Sequence, residues 1–174
     1  MQLSRRRFLE ALIVSSLFFP KKAYGIDFPF PNLEGYTEQG INTHLSSYLR
    51  KKPLLLHAWG AYCSPCMKDM PTLNTLEETV AILGLYDMAG QDVEKARASV
   101  EKIKEAQKQR SENMLLPKTS LQELNQTTLE VTRATLVFPT YYLLDESGIC
   151  VHMQTGVLTE EKLKDLKSKI RSLQ

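Results

Sequence analysis

A chain of 174 residues, 43% hydrophobic and 24% charged, has the length for one domain with a sizeable core and is short for two. Its formal charge of +2 is unevenly spread: residues 1–25 hold five Lys/Arg and one acid, leaving 17 basic residues against 19 acidic ones in the rest. That remainder lacks the basic excess of a nucleic-acid-binding domain, so no nucleic-acid partner is expected. The sequence contains no internal repeat and no low-complexity run.

At the front, Ser4-Arg5-Arg6-Arg7-Phe8-Leu9 sets a cationic stretch before the apolar run Ala11 to Phe19. The run is about half the ~20 residues of a membrane-spanning helix. Pro20 ends it, and Ala23-Tyr24-Gly25 offers small residues where a signal peptidase reads. This is the layout of a cleaved export signal. The order S-R-R-x-F-L resembles a twin-arginine leader, and Lys21 and Lys22 before the cut suit that route. An ordinary secretory leader and an uncleaved anchor stay open. The expectation is an export signal over residues 1–25 and a working domain over residues 26–174, located in the periplasm or on the outer face of the cytoplasmic membrane.

Asp27 to Gly35 is broken by Pro29 and Pro31 and reads as an extended arm with a turn. Leu54-Leu55-Leu56-His57-Ala58-Trp59 is a short, nearly continuous apolar run, as expected of a strand buried on both faces. Met67, Met70, Leu73 and Leu76 recur at helical spacing and predict a helix over Ser64 to Glu78, and Val80 to Tyr86 reads as the next strand. Strand, helix and strand make a βαβ unit. Asp92 to Arg110 is charged with a thin apolar stripe at Val93, Ala96, Val100 and Ile103, the pattern of a solvated surface helix. A less regular helix is expected within Ser120 to Arg133. Tyr141–Asp145 and Ile149–Met153 flank Glu146-Ser147-Gly148, a hairpin signal. A last helix, capped by Thr159, buries Leu163, Leu166 and Ile170.

Two of the three cysteines, Cys63 and Cys66, sit at i and i+3 across the start of the first helix. Pro65 fits there because its missing N–H would lack a partner in a first turn anyway. The unpaired N–H groups and positive end of the helix favour a thiolate at Cys63. Cys66, one turn deeper, is then the resolving thiol. A structural zinc site wants a second C-x-x-C or a His pair, and Cys150 with His152 is a feeble stand-in. A c-type haem site wants His where Met67 stands. A structural staple remains possible, although so small a loop gains little entropy when closed.

The stretch W-G-A-Y-C-S-P-C-M-K-D-M-P-T-L, Trp59 to Leu73, resembles the active site of the thioredoxin superfamily. It is most similar to the exported thiol:disulfide oxidoreductases of the TlpA/DsbE type, W-A-x-W-C-x-P-C-x-x-E-x-P-x-L. Asp27 to Gly35, with Leu49 to Pro53, resembles the arm into the first core strand. Phe138-Pro139-Thr140, running on to Asp145 and Gly148, is similar to the family's P-T-x-x-x-x-D-x-x-G element. Tyr62 and Asp69 depart from the pattern, standing for Trp and Glu, and Asn113 to Val137 match it poorly.

The resemblance implies an α/β, thioredoxin-like fold with a central mixed β-sheet flanked by helices. It implies that Cys63 attacks a disulfide and Cys66 resolves the mixed disulfide, with no cofactor beyond the Cys63–Cys66 pair and no resident metal. It further implies a cis Pro139 beside the sulfurs and a substrate surface at Trp59, Phe138, Pro139 and Thr140, with the Phe138 backbone pairing with the client. Ser64-Pro65 between the cysteines looks like the reducing members. The expected partners are envelope proteins with disulfides, such as an apocytochrome c or a metal-site assembly factor, and a membrane thiol electron donor, the protein itself being a monomer. An oxidase or isomerase of the same fold and a Cu(I)-binding metallochaperone stay open.

His57 stands where thioredoxin proper has a buried acid. Two roles are open to it: proton acceptor for Cys66, or a neutral core histidine satisfied by one backbone carbonyl. Cys150 reads as a buried, inert thiol. His44, Met67 and His152 are read as solvated or core-packed side chains in preference to a copper site.

Overall fold

The computed structural model describes residues 27–49 and 52–174, so the export signal expected over residues 1–25 lies outside the described residues. In chain order the elements are β1 (Phe28–Pro29), β2 (Glu34–Tyr36), β3 (Asn42–His44), a 3-10 turn (Leu45–Tyr48), β4 (Leu54–Gly60), α1 (Ser64–Asn74) and β5 (Ala81–Asp87). There follow α2 (Val93–Gln107), β6 (Glu112–Leu116), α3 (Lys118–Thr132), β7 (Thr140–Leu144), β8 (Ile149–Thr155) and α4 (Glu160–Arg171). The strands form one sheet in the order β1-β8-β7-β4-β5-β6-β2-β3. β5 pairs in parallel with both β4 and β6, and the other pairs are antiparallel. This is the mixed sheet with flanking helices of a thioredoxin-like fold.

β4 organises the core. All seven of its residues are buried, and because side chains alternate along a strand they feed two layers. Leu54, Leu56 and Ala58 pack with Leu33, Leu83, Leu85 and Leu124 of α3. On the other face Leu55 joins Leu73, Leu76 and Ile170, and Trp59 joins Cys63, Cys66 and Met70. Each buried leucine contributes on the order of 2 kcal/mol. Between them these layers fix α1 to the sheet and hold the end of β4 where α1 begins.

The helices end where local chemistry stops them. α1 closes at Asn74, short of the expected Glu78. The Thr75 and Thr79 hydroxyls donate to the carbonyls of Thr72 and Leu76 at 2.7 and 2.8 Å, and the Leu76 and Thr79 N–H groups reach back only three residues. α2 starts at an Asp92 side chain that accepts the Lys95 N–H at 2.8 Å, and it ends at left-handed Lys108. Thr159 caps α4 by accepting from the Lys162 N–H. In the β7–β8 hairpin the Asp145 carboxylate accepts the N–H groups of Ser147 and Ile149, and Gly148 takes a φ of 80°.

Two strands escape the apolar pattern. β3 holds only Asn42-Thr43-His44, and β6 opens on Glu112 and Asn113 before Met114-Leu115-Leu116. Polar residues interrupt both, yet β6 is the parallel neighbour of β5.

Candidate active site

Cys63 is the N-cap residue of α1, with Pro65 in the first turn. The turn from β4 is closed by the Cys63 N–H donating to the Gly60 carbonyl at 2.9 Å. The two sulfurs are joined in a disulfide, S–S 1.99 Å, and the Cys63 Sγ accepts the Cys66 N–H at 3.2 Å. Cys63 keeps 5% of its surface exposed and Cys66 none, so an incoming group meets Cys63 first. The i, i+3 spacing and the helix start therefore place the pair as a stacked couple at the positive end of α1.

Tyr62 lies beside the pair and is 64% exposed. Its hydroxyl donates to Asp87 Oδ2 at the end of β5, while Asp87 Oδ1 accepts the Ala89 N–H at 2.7 Å. Desolvation of that hydroxyl, then the hydrogen bond and charge of Asp87, push the phenol pKa up. Gly60 makes room for this ring, since a Cβ there would lie 2.9 Å from Tyr62 Cε1.

The Phe138–Pro139 peptide bond is cis. Residues 136–138 form one side of an open groove of about 530 Å³, with Tyr62, Cys63 and Pro65 on the second side and Leu121 and Asn125 of α3 on the third. Asn125 ties the loop down by accepting the Leu136 N–H at 2.8 Å. The Phe138 ring sits 6.1 Å from the Tyr62 ring, and Val137 is half exposed. Cys63 and Phe138 thus share one apolar surface.

Two residues expected on the substrate surface have side chains elsewhere. Thr140 is fully buried and its hydroxyl donates to the Val137 carbonyl, so it braces the loop from inside. Trp59 is also fully buried, behind the thiols, with its indole N–H donating to Asn113 Oδ1 at 3.0 Å. The alternation of β4 explains this: residue 59 points into the α1 layer.

His57 is fully buried between Tyr141 and Trp59, ring centroids 5.0 and 6.4 Å away. Among the described residues neither of its ring nitrogens finds a hydrogen-bond partner, so the backbone carbonyl expected to satisfy it is not there. Burial lowers its pKa to about 3, which leaves a neutral ring of low basicity at neutral pH. Cys150 lies in a different core layer from the pair, its thiol 3.3 Å from the His152 carbonyl. Burial raises its pKa to about 12. His44 and His152 sit toward opposite edges of the sheet, on β3 and β8. Among the described residues no three His, Cys, Asp or Glu side chains converge as a metal site would need.

Asp69 and Asn113 are site neighbours whose partners the sequence alone does not indicate. Asp69, one turn beyond Cys66 and 4% exposed, accepts the Tyr141 hydroxyl at 2.7 Å and the Leu158 N–H at 3.0 Å. It locks α1 to β7 and to the segment after β8. The only sequence signal for it is the carboxylate three residues after the C-x-x-C.

Comparison with known proteins agrees with this geometry. No protein-family model matches the chain. The thiol-disulfide oxidoreductase ResA of Geobacillus kaustophilus (strain HTA426) is 26% identical over 152 residues, covering 87% of this chain and 82% of that protein. Among solved structures, a thiol:disulfide interchange protein from Bacteroides sp. superposes with a TM-score of 0.63 at 22% identity, over 82% of this chain and 88% of that one. A thioredoxin-family thiol:disulfide interchange protein from Chlorobium tepidum TLS gives 0.63 at 16% identity, over 84% and 96%. At such identities the superpositions show the fold.

Proposed function

We propose that this chain, a thioredoxin-fold protein related to the ResA-, DsbE- and TlpA-type thiol-disulfide oxidoreductases, reduces disulfides in client proteins outside the cytoplasm. The observation that carries the reading is the disulfide itself. It closes two cysteines at a helix N-terminus, beside an open apolar groove, with Cys63 the more exposed of the two.

In the reduced form Cys63 is the nucleophile. The Cys66 N–H aimed at its sulfur and the positive end of α1 stabilise the thiolate over the thiol. The thiolate attacks one sulfur of a client disulfide. The client S–S bond breaks, a Cys63–client bond forms, and the other client sulfur leaves and takes a proton. Cys66, deprotonated, then attacks Cys63 Sγ, expels the second client thiolate and closes the Cys63–Cys66 bond. The client has gained two electrons and two protons, and the chain is left as the disulfide. A dithiol donor at the membrane must reduce it again, because the outside compartment holds no thiol-reducing pool.

Val137 and Phe138, with the cis Pro139, are assigned to the client-binding edge. The half-exposed Val137 and the groove beside Phe138 support this. Trp59 and Thr140 serve from behind, shaping the site without facing the client. His57 is not given the base role, because a ring with a pKa near 3 takes up little of a proton from a thiol. An export signal over residues 1–25, which would direct the domain to the periplasm or the outer face of the cytoplasmic membrane, completes the reading.

The test is the reduction potential of the Cys63–Cys66 pair, measured against defined thiol–disulfide buffers. A value near the ~−270 mV of thioredoxin fits a reductase, whereas one near ~−120 mV makes the protein an oxidant. In the envelope, Cys66→Ala should accumulate mixed disulfides with clients, and Cys63→Ser should give none. If the two thiols never form a reversible disulfide, the oxidoreductase reading fails.

A further inference from the structure

Trp59 is the chain's one tryptophan, and it packs in the cluster that holds both sulfurs. Its indole N–H reaches from β4 across β5 to Asn113 Oδ1 on β6. That reach is open because the residue between them is glycine. In the register His57–Gly84–Asn113, a Cβ on Gly84 would lie 1.9 Å from Asn113 Oδ1 and 2.8 Å from Trp59 Nε1.

The amide of Asn113 is itself oriented from the far side. Its Nδ2 donates to Glu38 Oε1 at 2.9 Å, and its backbone N–H donates to the same oxygen at 2.8 Å. Gln109 Nε2 adds a donor to Asn113 Oδ1 at 3.2 Å. Glu38 is clamped in turn by Lys104 Nζ, 2.8 and 2.9 Å from its two oxygens. An indole only donates and a carboxylate only accepts, so an amide between them has one satisfied orientation. Neither Asp nor Leu at 113 would serve both neighbours.

We propose that Asn113, oriented by Glu38, is a positioning residue for the redox pair: it fixes the Trp59 indole against Cys63 and Cys66 and thereby sets the balance between disulfide and dithiol. The inference rests on the oxidoreductase reading. Opening the disulfide moves the sulfurs from bonding to van der Waals separation, and the cluster around them must refit. An indole pinned by a buried hydrogen bond cannot follow that refit freely, so it fits the two redox forms unequally.

The test uses the full chain, equilibrated with mixtures of dithiothreitol and its cyclic disulfide, which supply or accept the two electrons and two protons of the exchange. Trp59 fluorescence follows the equilibrium. Asn113→Leu, which keeps the size and removes the acceptor, should shift the equilibrium constant by roughly three- to tenfold and alter the emission change. Asn113→Asp, which sets a carboxylate against Glu38, should do the same. Adding Glu38→Gln to Asn113→Asp removes one of the two facing carboxylates; the amide at position 38 keeps its oxygen on the residue-113 backbone N–H and offers its N–H to the carboxylate, which should return the constant to within about twofold of wild type.

A structural role alone would lower thermal stability in the single variants and leave the constant unmoved, which overturns the proposal. If Asn113→Leu fails to fold, the aspartate variant and its rescue decide, and no recovery on adding Glu38→Gln overturns it as well. A wild-type chain that never cycles with dithiothreitol strikes the oxidoreductase reading first and takes this inference with it, so the two failures are told apart.

Discussion

Replacing Gly84 by alanine should cost far more than one methyl group in a strand normally does. The backbone tolerates alanine, because the glycines with positive φ are at positions 40, 90, 148 and 156. The obstacle is the side chain of Asn113, whose Oδ1 would lie 1.9 Å from the new Cβ. That amide cannot swing aside cheaply, being held by Trp59, Glu38 and Gln109. Forcing it out leaves a buried indole N–H and a buried amide oxygen unpaired, at about 1–3 kcal/mol each. A stiffer unfolded chain returns about 0.4–1 kcal/mol. The net loss is about 1–5.5 kcal/mol, which lowers Tm by roughly 2–20 °C in a chain of this size. Thermal unfolding of the oxidised protein, followed by circular dichroism, reads it directly. Asn113→Ala removes the obstructing amide, so the double variant should be less destabilised than the two singles together, with a coupling of about 1–3 kcal/mol. A Gly84→Ala protein as stable as wild type, or strictly additive losses, would refute the argument.

His57 makes stability depend on pH. Its pKa is about 3 in the folded chain against 6.5 for the free side chain, so between those values the unfolded chain binds the proton and the folded one does not. The protonation penalty on folding is therefore absent above about pH 6.5 and grows by about 1.4 kcal/mol per pH unit as pH falls toward 3. Urea titrations at pH 7 and pH 5 should show wild type losing about 2 kcal/mol more than His57→Leu; equal losses would remove His57 as the cause. Cys150, with its thiol pKa near 12, should stay unlabelled by iodoacetamide at pH 8 in the reduced, folded protein while Cys63 reacts. Modification of Cys150 before urea is added would contradict its burial.

The parts of the site legible in the sequence are those built from near neighbours. The buried run Leu54 to Trp59, the cysteines astride a helix start and the Asp145–Gly148 turn each declare themselves within about ten residues, because strand alternation, helix-cap chemistry and turn geometry act over that range. Element ends were less legible: Thr75 and Thr79 each donate their hydroxyl to a carbonyl three residues back, and periodicity does not register that competition. β6 was hidden because Glu112 and Asn113 break its apolar pattern, and those polar residues have tertiary reasons to be there.

By itself, then, the sequence determined the strand–turn–helix that presents Cys63 and Cys66, and the hairpin that follows Pro139. The tertiary structure alone decided what lies behind them. Trp59 meets Asn113 across 54 residues of chain, Asn113 meets Glu38 across 75, and Asp69 meets Tyr141 across 72. Such partners are set by which strands become neighbours and in what register, and a shift of one residue would turn Trp59, Asn113 or Tyr141 to the opposite face of the sheet. The same register hides Trp59 and Thr140 from the groove and leaves His57 between two rings, with both nitrogens unmet among the described residues.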